Sequence, residues 1–138
     1  MVIDTSSLVA ILNDEPERAE LAAAIECDPT RLVSAVSLFE ASVVVQARFG
    51  EDGVDDLDLL LAKIDAEIVA FLPEDVPLAR QAYRDYGKGR DRAGLNFGDC
   101  FAYALSVKTG EPLLYKGNDF ARTDVATAAV RGDAADSR

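Results

Sequence analysis

The chain alternates short apolar β-type runs with longer stretches of helical period. Met1-Val2-Ile3 stops at Asp4, and after Thr5-Ser6-Ser7 a second apolar run begins with Leu8, Val9 and Ala10. A β-branched run of this kind suits a buried strand, and an Asp followed by small hydroxylated residues suits the turn into a helix. Residues 6–13 predict a short helix, and Pro16 sits near the start of a second one through Glu20, Leu21, Ala24 and Ile25. Arg31 to Ala35 predicts a strand, and Val36 to Phe49 a helix stopped by Gly50. Val54, Leu57, Leu61 and Ile64 recur at helical spacing between acids, so 54–66 predicts another helix, and Ile68 to Leu72 a strand ended by Pro73. A helix over 75–86, a glycine-containing loop over 87–95, a helix over 97–109, a strand at 113–115, a turn at 117–119 and a last strand over 125–130 complete the pattern.

Strands at intervals with helices between them, and no Asn-Gly hairpin signal between two β runs, predict βαβ crossovers: an α/β fold on a parallel sheet. A chain of 138 residues, 49 % hydrophobic, suits one domain, taken here as 1–130 with a small polar tail over 131–138. No apolar run approaches a membrane span and no basic residues precede the first one, so the expectation is a soluble, cytoplasmic protein. Cys27 and Cys100 show no metal-ligand spacing and read as small helix residues without a disulfide framework.

Charge changes the picture more. Acids outnumber bases by 25 to 14, a formal −11, which argues against a module that holds nucleic acid by charge alone. It leaves room for an enzyme that meets a polyanion through a metal ion and a local basic patch. Histidine is absent, which removes Ser-His-Asp and Cys-His mechanisms and His-rich zinc sites.

Four acids stand where the pattern places helix starts after strands. Asp4 follows the first strand and Asp119 the strand ending at Tyr115, so both belong on the carboxyl rim of a parallel sheet, where ligands collect. Glu40 shares a helix with Val43, Val44 and Ala47 at i+3, i+4 and i+7, which points it along an apolar stripe toward the core; Asp99 opens a nearly all-apolar helix. Each acid has a plain structural role open to it: Asp4 as an N-cap, Ser37-x-x-Glu40 as a capping box, Asn96 with Asp99 as a cap pair, Asp119 in an Asx turn. Capping explains each acid singly but not their shared rim. Carboxylates brought together repel by on the order of 4 kcal/mol for a pair about 4 Å apart at an effective dielectric near 20. A divalent cation removes that repulsion, and all-oxygen ligands favour Mg²⁺ or Mn²⁺, which activate water for phosphodiester hydrolysis without histidine.

With Asp4-Thr5-Ser6, Ser37-x-x-Glu40, Leu95-Asn96-Phe97-Gly98-Asp99-Cys100 and Asn118-Asp119-Phe120 in this order, nearly the whole chain resembles the PIN-domain ribonucleases of VapC type, the toxins of bacterial toxin–antitoxin pairs. The resemblance implies a three-layer sandwich with a central, mainly parallel sheet flanked by helices. It implies a Mg²⁺- or Mn²⁺-dependent endoribonuclease, a homodimer, and a small VapB-type antitoxin as partner. By position, Asp4, Glu40 and Asp99 carry over as the metal-holding and water-activating acids, with Asp119 as a fourth. Many members have two acids in the last motif, and here the first of those positions is Gly117.

Lys88, Arg90 and Arg92, in the loop before the Asp99 helix, are the best candidates for RNA phosphate contacts, against a plain solvated loop with Asp91 as local partner. Thr5 and Ser6 read as caps of their own helix, with a hydrogen bond to Asp4 or to a phosphate as the alternative. Phe39, Phe97, Phe101 and Tyr103 read as core or dimer-face packing. The non-enzymatic alternative is a catalytically inactive PIN-like interaction module, whose acids would be caps alone.

Overall fold

A computed structural model describes residues 1–89, 91 and 93–128. Strand β1 (Val2–Ile3) passes through Asp4 into α1 (Thr5–Leu12) and α2 (Arg18–Cys27). Strand β2 (Leu32–Ser34) leads into α3 (Ala35–Phe49) and α4 (Glu51–Lys63). Strand β3 (Glu67–Val69) leads into α5 (Val76–Tyr86), and α6 (Asp99–Thr109) into β4 (Leu113–Leu114). Among the described residues the sheet runs β3-β2-β1-β4, with every strand pair parallel.

Successive strand side chains leave opposite faces of a sheet, and this divides the core in two. Ile3, Val33 and Leu114 pack with Leu8, Ile11, Ile25, Val45 and Leu57, under α1 to α4. Val2, Leu32 and Leu113 face the other way, onto Ala102, Tyr103 and Leu105 of α6 and Ala82 of α5. Burial on both faces is why the inner strands read as unbroken apolar runs, and the expected three-layer α/β architecture is borne out.

Several boundaries differ from the pattern-based expectation, each for a local reason. Helix α3 is capped by Ser34, whose hydroxyl accepts the Val36 N–H at 3.3 Å. Ser37 therefore lies inside the helix, and the expected capping box with Glu40 does not form. Helix α4 starts at Glu51, because Gly50 at φ +69° reverses the chain at once and sets Glu51 and Asp52 in the positively polarised first turn. Strand β3 ends at Val69; by Leu72 the backbone is turning, its N–H held by the Asp75 carboxylate at 2.8 Å. The expected last strand is represented by a single parallel bridge, Leu113 to Thr127. Residues 129 and 130 and the tail 131–138 lie outside the described residues. Among the described residues no helix is long and apolar enough to cross a membrane, and both cysteines are free.

Candidate active site

The sheet order contains one reversal. From β1 the chain steps to β2 and then to β3, but β4 pairs with the opposite side of β1. The crevice outside the carboxyl ends of β1 and β4 is therefore the switch point at which open parallel sheets take ligands. Asp4 stands directly beyond β1, and Asp119 follows β4 at the start of the 3-10 turn Phe120–Arg122.

Asp4 and Asp99 each serve two purposes. Asp4 is the N-cap of α1, its Oδ2 accepting the Ser6 N–H at 3.0 Å. Asp99 Oδ2 accepts the Asn96 N–H at 3.0 Å while Asn96 Oδ1 accepts the Asp99 N–H at 2.9 Å, a reciprocal pair that starts α6. The cap roles open to these two residues are thus real; the Asp4 carboxyl is met by the Ser6 side chain and the Thr5 backbone as well, whereas Asp99 Oδ1 receives no hydrogen bond among the described residues. Asp119 is exposed and its side chain caps nothing, so the expected Asx turn is not formed.

Glu40 departs from its expected setting. The core-facing residues of α3 are Ser37, Ala41 and Val45, whereas Val43 and Ala47 are exposed. Glu40 is half-buried on the rim instead, its carboxylate lying against the backbone of Gly98, next to Asp99. No hydrogen bond or ion pair holds it among the described residues.

Electrostatics show that the acids share one environment. Burial drives the Asp99 carboxyl from its ordinary 3.8 to about 7; the Asn96 N–H opposes this, and the charges of Asp4, Asp119 and Glu40 add to it. Burial likewise drives Asp4 to about 6, with Glu40 contributing and hydrogen bonds from Ser6 opposing. The structure thus gathers all four expected acids around Asp99. Among the described residues, no three of them close into a ready metal cage. The donor chemistry nonetheless suits a hard divalent cation: only carboxylate oxygens, in a chain without histidine.

Thr5 and Ser6 hold the rim together through long-range bonds that sequence reasoning missed. The Thr5 hydroxyl donates to the Ser37 carbonyl at 3.1 Å, tying the start of α1 to the first turn of α3. The Ser6 hydroxyl accepts the Lys116 N–H at 2.9 Å, tying the same turn to the segment that carries Asp119. The Thr5 hydroxyl therefore does not cap its own helix, whereas the Ser6 side chain also bonds the Asp4 carboxyl, as one of the two sequence readings had it. Lys116 is further anchored by Glu15 at 2.7 Å.

Beside Asn96 lies an open groove of about 770 Å³ between α5 and α6. Phe101 forms its floor, met edge-on by Phe71 at 4.8 Å and Phe97 at 5.1 Å, and Arg80, Arg84 and Lys88 stand along it. Lys88 thus lines the same groove as Asn96, while Arg90 and Arg92 lie outside the described residues. Tyr103 is core, but Phe39 and Phe97 are 70 % and 78 % exposed, so a core role does not hold for those two.

A family model described as PIN domain matches residues 1–126. Ribonuclease VapC30 of Mycobacterium tuberculosis is 53 % identical over 130 residues, covering 94 % of this chain and 99 % of that one. The chain belongs to the PIN-domain family, among its VapC members. The crystal structure of VapC20 of Mycobacterium tuberculosis, described as a Sarcin-Ricin loop cleaving toxin, superimposes with a TM-score of 0.73 at 17 % identity, covering 91 % of this chain and 95 % of that one. A toxin–antitoxin complex from Klebsiella pneumoniae does so at 0.69 and 17 %, covering 94 % and 98 %.

Proposed function

We propose that this chain is a Mg²⁺- or Mn²⁺-dependent endoribonuclease that acts in the cytoplasm as the toxin of a toxin–antitoxin pair. The observation that carries the reading is the state of Asp4 and Asp99. A helix cap needs one carboxylate oxygen at an exposed helix end. Here both carboxyls are buried among like charges that raise them, and Asp99 keeps an oxygen that accepts no hydrogen bond among the described residues. That arrangement disfavours the inactive module, for which caps alone would suffice.

Asp4, Glu40 and Asp99 hold the ion, and Asp119 adds negative charge on its exposed side. When bound, the cation supplies charge neutralisation and Lewis acidity at the scissile phosphate. Glu40, free of other partners, accepts a hydrogen bond from the attacking water and orients it in line with the phosphorus. Lys88 holds a neighbouring phosphate beside Asp99 in a chain whose net charge otherwise repels RNA. A second copy covers the exposed Phe39, Val43 and Phe97 in a homodimer, and a VapB-type antitoxin neutralises the assembly; the Klebsiella complex and the VapC relatives support that pairing.

The test is incubation of purified protein with mixed RNA and Mn²⁺, with and without EDTA, beside Asp99→Asn. Wild type should cleave internally, and both EDTA and the substitution should abolish cleavage while the circular dichroism spectrum stays native. Wild-type rates from the substituted protein would refute the site; no cleavage under any metal condition would refute the enzyme.

A further inference from the structure

Gly98 is buried immediately before Asp99, with φ −63° and ψ −38°, ordinary helical values open to every residue type. Its backbone conformation therefore gives no reason for glycine. Asn96 already supplies the capping side chain. The reason lies in space: all three terminal atoms of Glu40, Oε2, Cδ and Oε1, fall within 3 Å of where a Cβ on Gly98 would stand. The Glu40 carboxylate occupies the volume that any other residue would fill.

We propose that Gly98 is a positioning residue for the nuclease centre, its missing side chain forming the notch that seats the Glu40 carboxylate beside Asp99. The inference rests on the assignment of Glu40 to the metal-holding set. With no hydrogen bond or ion pair to fix it among the described residues, the carboxylate is placed by shape alone. An alanine at 98 expels it, and a shift of about 1 Å in such a group costs on the order of 10²-fold in rate.

The experiment is a double-mutant cycle of Gly98→Ala and Glu40→Ala, read by Mn²⁺ affinity in calorimetry and by metal-free melting temperature. In the wild-type background Gly98→Ala should weaken Mn²⁺ binding at least tenfold and leave the melting temperature unchanged or lower. In the Glu40→Ala background it should change Mn²⁺ affinity less than twofold and raise the melting temperature, because the notch is then empty. A Gly98→Ala protein that folds only when combined with Glu40→Ala would equally support the seating. Unchanged Mn²⁺ affinity in Gly98→Ala, or the same loss in both backgrounds, would overturn the proposal. If Glu40→Ala alone leaves Mn²⁺ affinity and cleavage intact, the assignment of Glu40 itself fails, a result recognisable apart from any change at 98.

Discussion

Replacing Asp4 with Asn should stabilise the metal-free protein at pH 8. Asp4 is 3 % exposed, and its carboxyl titrates near 6 instead of 3.8. Two pKa units at about 1.4 kcal/mol each make ionising it in the fold cost about 3 kcal/mol. Because the folded value is raised, the native state keeps a proton that the unfolded chain loses above pH 3.8. Stability therefore falls as pH rises from about 4 to about 6, and the whole cost is present at pH 8. Asn keeps the oxygen that accepts the Ser6 N–H and removes the charge. Its NH₂ group, short of a partner, takes back about 1 kcal/mol. The net gain of about 2 kcal/mol corresponds to a rise of roughly 7 °C in Tm for a chain of this size. Thermal unfolding in EDTA at pH 8 and pH 5 reads it directly, with the gain at pH 5 about half or less. Added Mn²⁺ should raise the wild-type Tm and not the variant's, narrowing the difference. A variant less stable than wild type at pH 8, or a gain independent of pH, would show that Asp4 is an ordinary cap and refute the argument.

Other consequences are as direct. At limiting Mn²⁺, RNA cleavage should climb through pH 6 to 7 and level off by pH 8, since on the proposed assignment Asp4 and Asp99 would have to lose their protons to bind the ion; a plateau already at pH 5 would contradict the raised values. Thr5→Val removes the bond to the Ser37 carbonyl and should cost on the order of 1 kcal/mol in urea denaturation. It should lower cleavage by much more than its folded fraction, because the Asp4 and Glu40 walls are no longer tied. Leu57→Ala, at a fully buried position under the sheet, should cost about 2–5 kcal/mol by the same denaturation measurement and leave the Mn²⁺ affinity of the folded protein unchanged.

The order of strands and helices was legible because hydrophobic period is local, and Asp4 was legible because a strand that ends at an acid is a local event too. The start of α3 was not. Ser34 and Ser37 offer the same hydroxyl three residues apart, and pairing of Leu32–Ser34 with β3 decides between them. The facing of Glu40 failed for a related reason: Val43 and Val44 outweigh Ala41 on any hydropathy scale, yet the small Ala41 faces the core. Residue type alone left Phe39 and Phe97 open between core and dimer face, and only the tertiary structure, which exposes both, removes the core. The bonds made by the Thr5 and Ser6 hydroxyls span 32 and 110 residues, beyond the reach of any sequence window. Gly98 left a fainter signal, a glycine where Asn96 already caps the helix.

Asp4, Thr5 and Ser6 are consecutive, yet they address the crevice, α3 and the segment beyond β4 in turn. This gives the centre a place in time. The Thr5 hydroxyl and its acceptor are 32 residues apart, and Ser6 and the Lys116 amide that meets it 110. Contacts of such long sequence separation form late. A chain that has not closed β4 against β1 therefore lacks the tie from Ser6 to Lys116, and the rim is completed only when that pairing forms.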